Sequence, residues 1–278
     1  MSAAPRIAID AMGGDSGPAA MVAGLAKSFR RDSTLRFLVY GDERLIRPEL
    51  AKHSSVEGKV DVIHTAEAIA PTEKPSQAIR RAKTTSMGMA ISAVKDGLAD
   101  AAVSGGNTGA LMAMSKLALR TMPGIDRPAL AALLPTLADT DLVMLDLGAN
   151  TECDAQNLVQ FAVMGAGYAR CGLKMDKPRV RLLNIGTEEL KGTDELKEAA
   201  ALLREADYLP FQFDGFIEGD QLSRGNVDVV VTDGFPETSP SRPPRELRAS
   251  LPTFSAAPSR ARFGRRRASP SHGPPSTC

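Results

Sequence analysis

At five points in this chain a short apolar run ends in a small polar cluster with glycine close by; the clusters centre on Asp10, Asn107, Asn150, Lys191 and Asp233. The stretch 101–112, Ala-Ala-Val-Ser-Gly-Gly-Asn-Thr-Gly-Ala-Leu-Met, shows the pattern in full. It reads as the carboxyl end of a buried strand that turns through a glycine loop into the first turn of a helix. In open α/β sheets such strand ends are where ligands sit. Gly105 and Gly106 let backbone approach a ligand closely, and the free amides of a helix start attract anions. Two readings of the loop stay open on these residues alone. One is a site for a phosphate or carbonyl oxygen, with Asn107 and Thr108 adding side-chain hydrogen bonds. The other is a tight turn capped by Thr108.

The rest of the chain repeats the alternation. Strands are expected at 6–10, 35–40, 60–64, 100–103, 130–134, 141–147, 180–185 and 227–232, and helices at about 19–30, from 43, through Met87 to Val94, from 108 to 120, at 156–169 and at 195–205. Strands alternating with helices imply a mostly parallel sheet wrapped on both faces, with the strand ends of one side converging on one crevice. The first turn, Asp-Ala-Met-Gly-Gly-Asp, carries Asp10, Gly13 and Gly14 but not the G-x-G-x-x-G spacing, so a dinucleotide is not favoured. Asp10 is read either as functional or as a loop cap. His64, alone at a strand end, is expected to be structural. The methionines at 87 and 89 are core filler rather than a cofactor box. Arg80, Arg81 and Lys83 form either a solvated helix face or a landing point for an acidic partner.

Composition bounds the class. A chain of 278 residues, 43% hydrophobic and 4% aromatic, suits one large α/β domain or two smaller ones built on Ala, Val and Leu. No apolar stretch is long enough to span a bilayer and the N-terminus lacks a signal-peptide pattern, so a reducing cytoplasm is expected. Cys153, Cys171 and Cys278 lack metal-ligand spacing, and no metal is expected. The net charge of +1 is unevenly spread: eight arginines and two glutamates put +6 on residues 236–278 and leave −5 on the remainder.

Six motifs in order make the pattern specific. Ile-Ala-Ile-Asp-Ala-Met-Gly-Gly-Asp, Ser-Gly-Gly-Asn-Thr-Gly-Ala-Leu-Met, Gly-Ile-Asp-Arg-Pro-Ala-Leu and Leu-Asp-Leu-Gly-Ala-Asn are followed by Leu-Asn-Ile-Gly-Thr-Glu-Glu-Leu-Lys-Gly and Asp-Val-Val-Val-Thr-Asp-Gly-Phe. From residue 6 to 235 the chain strongly resembles the PlsX family of bacterial phosphate acyltransferases. The resemblance implies a three-layer α/β/α sandwich with a mostly parallel sheet, of the isocitrate-dehydrogenase and phosphotransacetylase type. It also implies transfer of a long-chain acyl group from acyl carrier protein to inorganic phosphate, giving acyl phosphate for phospholipid synthesis without metal or organic cofactor. It implies a homodimer, cytoplasmic and loosely attached to the membrane, that hands its product to a glycerol-3-phosphate acyltransferase. On that basis Lys191, Asp233 and Asn107 are the expected catalytic residues. Asp10, Gly13, Gly14, Gly105, Gly106, Thr108 and Asn150 are the expected phosphate and substrate contacts. Lys191 supplies a compact positive charge, and Asp233 either orients it or manages a proton. Two alternatives stay open: a phosphotransacetylase-like enzyme using an acyl-CoA, and a non-catalytic module binding carrier protein or phosphate.

The resemblance stops after Phe235. Residues 1–235 are expected to form the phosphate acyltransferase domain, incomplete at its C-terminus. Residues 236–278, in which Pro, Ser and Arg supply 25 of 43 positions, read as a low-complexity tail without ordered packing. One back-translation of this tail, with a single base restored after the Phe235 codon, reads in the neighbouring frame as a helical continuation of the family motif. The tail is therefore expected to derive from a frameshift, and its basic charge is not read as a nucleic-acid arm. Such a chain is expected to be poorly stable and weak or inactive as an enzyme. Sequencing the gene across codon 235 is expected to show the displaced frame; an intact frame there overturns the reading.

Overall fold

The structure, a computed structural model, describes residues 4–234 except Thr151, Glu189 and Asp207; the tail expected at 236–278 lies outside the described residues. The chain divides into two compact units, the first ending at Pro128 and the second beginning at Ala129. Parallel α/β architecture holds in each, but the strands form two sheets, of four and five strands, rather than one.

In the first unit β1 (Arg6–Asp10), β2 (Arg36–Gly41), β3 (Val60–His64) and β4 (Ala101–Ser104) lie in the order β3-β2-β1-β4, all parallel. Alternate side chains serve opposite faces. Ile9, Phe37 and Val39 pack with Val22, Leu25 and Ala26 of α1 (Gly17–Arg31) and Ile46 of α2 (Glu43–Leu50). Ala8 and Tyr40 meet Ala90 and Ala93 of α4 (Ser86–Lys95) on the other face. The sheet thus needs apolar residues at nearly every position, as parallel strands covered on both faces do. Between β3 and α4 comes a short helix not expected from the sequence, α3 (Pro75–Arg80), begun by a proline whose fixed φ suits the first helical turn. It packs with α4 and α5 (Thr108–Leu119) around Ala78, Met87, Ile91, Ala110 and Met114, so Met87 is core filler as expected.

In the second unit β5 (Ala131–Leu134), β6 (Leu142–Leu145), β7 (Arg179–Leu183), β8 (Gln212–Ile217) and β9 (Val229–Val231) lie in the order β5-β6-β9-β7-β8. Only β5 runs antiparallel to its neighbour. One face packs on α6 (Ala155–Leu173) and α7 (Asp194–Glu205) through Leu158, Phe161, Ala166, Ala199 and Leu203. The residues of β6 and β9 are buried throughout, which explains why Leu-Val-Met-Leu and Val-Val-Val carry no polar alternation.

One ion pair ties this sheet at its amino edge. Asp228 receives the Arg179 backbone N–H at 2.8 Å and its guanidinium at 2.9 and 3.0 Å. Burial opposes ionisation of Asp228, but the Arg179 hydrogen bonds and charge outweigh it and hold the carboxyl below its ordinary value. A lowered native pKa means that the stabilisation is complete above the unfolded carboxyl value of about 4 and is lost as pH falls through the native one. Asp228→Asn is expected to cost about 1–3 kcal/mol at pH 7. In urea titrations the gap between variant and wild type should narrow once the pH drops below about 4.

Candidate functional site

The strand order of the first unit sets the geometry of its loops. From β1 the chain steps outward to β2 and β3, then returns to place β4 on the other side of β1. The carboxyl ends of β1 and β4 therefore flank the switch point, where open α/β sheets bind ligands. Both glycine loops singled out in the sequence lie there. Asp10 pairs with Ser104 in register, and the turns that follow carry Gly13 and Gly14 on one side and Gly105 and Gly106 on the other.

The two loops touch through backbone. A Cβ on Gly13 would stand 2.7 Å from the Gly106 nitrogen, 2.8 Å from Asp10 Oδ2 and 2.9 Å from Ser104 Oγ. Gly14, at φ +86°, lies so close to Gly105 that a Cβ would stand 3.1 Å from its carbonyl oxygen. The glycines thus serve close approach of one loop to the other. Asp10 is 2% exposed. Its Oδ1 accepts the Met12 N–H at 3.1 Å, and its Oδ2 accepts the Ser104 hydroxyl at 2.7 Å. Ser104 Oγ in turn accepts the Gly106 N–H at 3.0 Å. Among the described residues, the N–H groups of Gly13, Gly14, Gly105 and Thr108 donate to no protein acceptor.

Asn107, not Thr108, caps α5: its Oδ1 accepts the Ala110 N–H at 2.9 Å, while Nδ2 donates to the carbonyls of Pro71 and Glu73 at 2.8 and 2.9 Å. The Asn107 amide group is committed to holding the 71–73 loop against the helix start. Thr108 is the first helical residue and is exposed. Glu73 and Glu67 also receive Arg81, at 3.2 Å each, so Arg81 anchors this loop while Arg80 and Lys83 stand exposed. His64 Nδ1 accepts the Glu43 N–H at 3.2 Å at the start of α2, the structural role expected of it.

In the second unit Asn150, Lys191 and Asp233 also follow strands at the carboxyl edge. The Asp146 carboxylate is fully buried and accepts the N–H groups of Leu130, Ala149 and Asn150 at 2.8–3.1 Å, together with the Asn150 side-chain amide at 2.9 Å. The 146–150 loop lies against the end of β9, where a Cβ on Gly234 would run into the Asn150 carbonyl. Here the chain passes from β7 out to β8 and returns to β9 on the other side of β7, so Lys191 and Asp233 follow the two strands flanking that reversal.

Lys191 pairs with Glu188 at 2.8 Å rather than with Asp233, whose carboxylate accepts from its neighbour, the Thr232 hydroxyl, at 3.5 Å. Hydrogen bonding and charge from Glu188, with Glu218 adding to them, hold the lysine above its ordinary pKa. It is a permanent cation at neutral pH, suited to meeting an anion and unsuited to acting as a neutral base. Its loop is fastened by Asn184, a residue quoted in the sequence motif without a role. Asn184 is 8% exposed, receives the Ile185 N–H at 2.8 Å and donates to the Lys191 carbonyl at 3.0 Å. A buried asparagine at a strand end was the available signal for it.

Parallel α/β units with polar loops at the carboxyl ends of their strands place the chain in the phosphotransacetylase-like fold class. A phosphotransacetylase from Streptococcus pyogenes superposes with a TM-score of 0.61 at 19% identity, over 84% of this chain and 78% of that one. The EutD phosphotransacetylase from Staphylococcus aureus gives 0.57 at 21%, over 83% and 78%. Within that class the chain belongs to the PlsX family: the model described as fatty acid synthesis protein matches residues 5–237. A protein of Erythrobacter litoralis named phosphate acyltransferase is 62% identical over 231 residues, 83% of this chain and 65% of its own length. One of Parvibaculum lavamentivorans with the same name is 56% identical over 230 residues, 82% of this chain. This chain spans 63% of that second relative.

The glycine contacts separate two outcomes of adding one methyl group. Gly13→Ala forces a Cβ against backbone nitrogen and a buried carboxylate and is expected to destabilise the first unit by about 1–3 kcal/mol. Gly24→Ala, in α1 with nothing within 4 Å of the added Cβ, is expected to stabilise it by about 0.5–1 kcal/mol. Paired urea titrations of the two variants measure the contrast.

Proposed function

We propose that this chain carries the site of an acyltransferase that moves a long-chain acyl group from the thioester of acyl carrier protein to inorganic phosphate. The observation that carries the reading is the 62% identity over 231 residues to a protein named phosphate acyltransferase. The geometry supports it. Free backbone amides of Gly13, Gly14, Gly105 and Thr108 at the switch point suit a tetrahedral oxyanion, which needs several donors and tolerates helix-start polarity. Phosphate is itself the nucleophile, so no serine or histidine has to be activated. One phosphate oxygen attacks the thioester carbonyl, a C–O bond forms, the C–S bond breaks, and the thiolate leaves to be protonated.

In this reading the Lys191 ammonium stabilises negative charge on phosphate or on the tetrahedral oxyanion, exchanging Glu188 for the substrate. The pairing of Lys191 with Glu188 favours for Asp233 the handling of the proton over the orienting of the lysine. Asn150 orients the substrate from its loop on Asp146. Asn107, whose amide is committed to the 71–73 loop, contributes by placing the start of α5. The exposed Arg80 and Lys83 suit an acidic carrier protein. We place the reaction in the cytoplasm at the membrane surface, with a homodimer and a downstream glycerol-3-phosphate acyltransferase as partners. No helix among the described residues is long and apolar enough to cross a membrane.

A second reading is favoured by the solved neighbours, which are named phosphotransacetylases: an enzyme using a coenzyme A thioester. Acyl phosphate formation, trapped as the hydroxamate, separates the readings. Slow product is expected only with carrier-protein thioester plus phosphate, and Lys191→Ala is expected to lower it about 10²–10³-fold. Equal rates with the coenzyme A thioester transfer the case to the second reading. Binding of carrier and phosphate with no turnover makes the chain a non-catalytic module.

A further inference from the structure

The Asp10 carboxylate is buried beside loops that the proposed function assigns to an anion, a placement that calls for a reason. Like charge next to a phosphate weakens binding, and burial of a carboxylate is costly unless hydrogen bonds offset it. Its oxygens are already engaged inside the chain, one by the Met12 N–H and the other by the Ser104 hydroxyl. Once that hydroxyl donates to Asp10, the lone pairs of Ser104 Oγ are left to accept, and the Gly106 N–H fills one of them at 3.0 Å. The chain of bonds runs from one loop to the other: Gly106 N–H to Ser104 to Asp10, with Met12 N–H on the second oxygen. The bare Cα of Gly13 is what leaves room for it, because a Cβ there would lie within 3 Å of three members of this chain.

We propose that Ser104 is a positioning residue, paired with Asp10, that fixes the 105–108 loop for phosphate by taking up the Gly106 amide and leaving the amides of Gly105 and Thr108 to the ligand. The inference rests on the reading of these loops as a phosphate site. It moves Asp10 from the substrate contacts to the framework behind them. Gly106 then differs from its neighbours: its N–H serves the protein, theirs serve the anion. Because the hydroxyl joins Asp10 to Gly106, the two side chains act as one unit, and losing either should have nearly the effect of losing both.

The test is a titration of the ¹⁵N-labelled 278-residue chain with inorganic phosphate, followed by amide resonances, for wild type, Ser104→Ala, Ser104→Thr, Asp10→Asn and the double variant Ser104→Ala/Asp10→Asn. In wild type the Gly105 and Thr108 amides are expected to shift with phosphate while Gly106 stays nearly still. Ser104→Ala should weaken the phosphate Kd about tenfold, the scale of one hydrogen bond to a charged group, and let Gly106 respond. Ser104→Thr, which keeps the hydroxyl, should stay within about threefold of wild type, under 1 kcal/mol. The double variant should be no weaker than Ser104→Ala alone. Wild type that fails to bind phosphate overturns the phosphate reading and this proposal with it. Wild type that binds while Ser104→Ala and Asp10→Asn bind equally well overturns the positioning role alone, as do additive losses in the double variant. If Ser104→Ala does not fold, Asp10→Asn and Ser104→Thr decide the matter: loss in the first with retention in the second supports the proposal, and the reverse overturns it.

Discussion

Two buried carboxylates at strand ends set the loops of this protein. Asp10 ends β1 and Asp146 follows β6, at 2% and 0% exposure, and each accepts backbone N–H from the turn it begins. A charge removed from water is tolerable only when donors surround it, so each turn must fold back onto its own aspartate. The consequence differs between the units. Asp146 takes several amides directly and closes a compact loop around Asn150. Asp10 takes one amide directly and reaches the neighbouring strand through Ser104, which couples two glycine loops instead of closing one.

The division of labour that follows is electrostatic. Amides and helix starts carry fixed partial charges that cost nothing to hold in place, and they suit an anion that must be oriented. Lysine carries a full and mobile charge. Glu188 holds the Lys191 pKa above its already basic ordinary value, and the loop that carries the lysine is pinned at its base by Asn184 rather than at its tip. A side chain fixed at its root and paired at its tip with an exposed glutamate can exchange that partner for charge that develops during a reaction. The side chains of Asn107 and Arg81 are spent on holding the 67–73 loop against the start of α5 and the end of α3, next to the Gly105–Gly106 turn.

Much of this was legible in the residues. Alternation of apolar runs with helical periods places every strand from β1 to β7, and β9, to within a few positions, because each is defined by its own apolar run and most of them end at or near a glycine or aspartate. The strand β8 and the short helix α3 were missed. Gln-Phe-Asp-Gly-Phe-Ile is broken by Asp214 and a glycine at positive φ, so its strand character depends on pairing with β7. Helix α3 is only one and a half turns long, too short to show a period, and is held by packing on α5. One of the two readings open on the sequence makes Thr108 the cap of α5; Asn107 holds it, since an asparagine amide can cap and brace a neighbouring loop at once.

The sequence by itself determined the class of fold, the family and the five strand-end clusters, because local propensity and the motifs that record chemistry are both written in neighbouring residues. Only the tertiary structure decided what each polar group is used for. Whether an aspartate faces a ligand or a serine 94 positions away, and whether a lysine pairs with the glutamate three residues before it or with a carboxylate beyond, depends on which strands become neighbours. That order arises from crossovers and packing across the whole unit, and no stretch of sequence contains it.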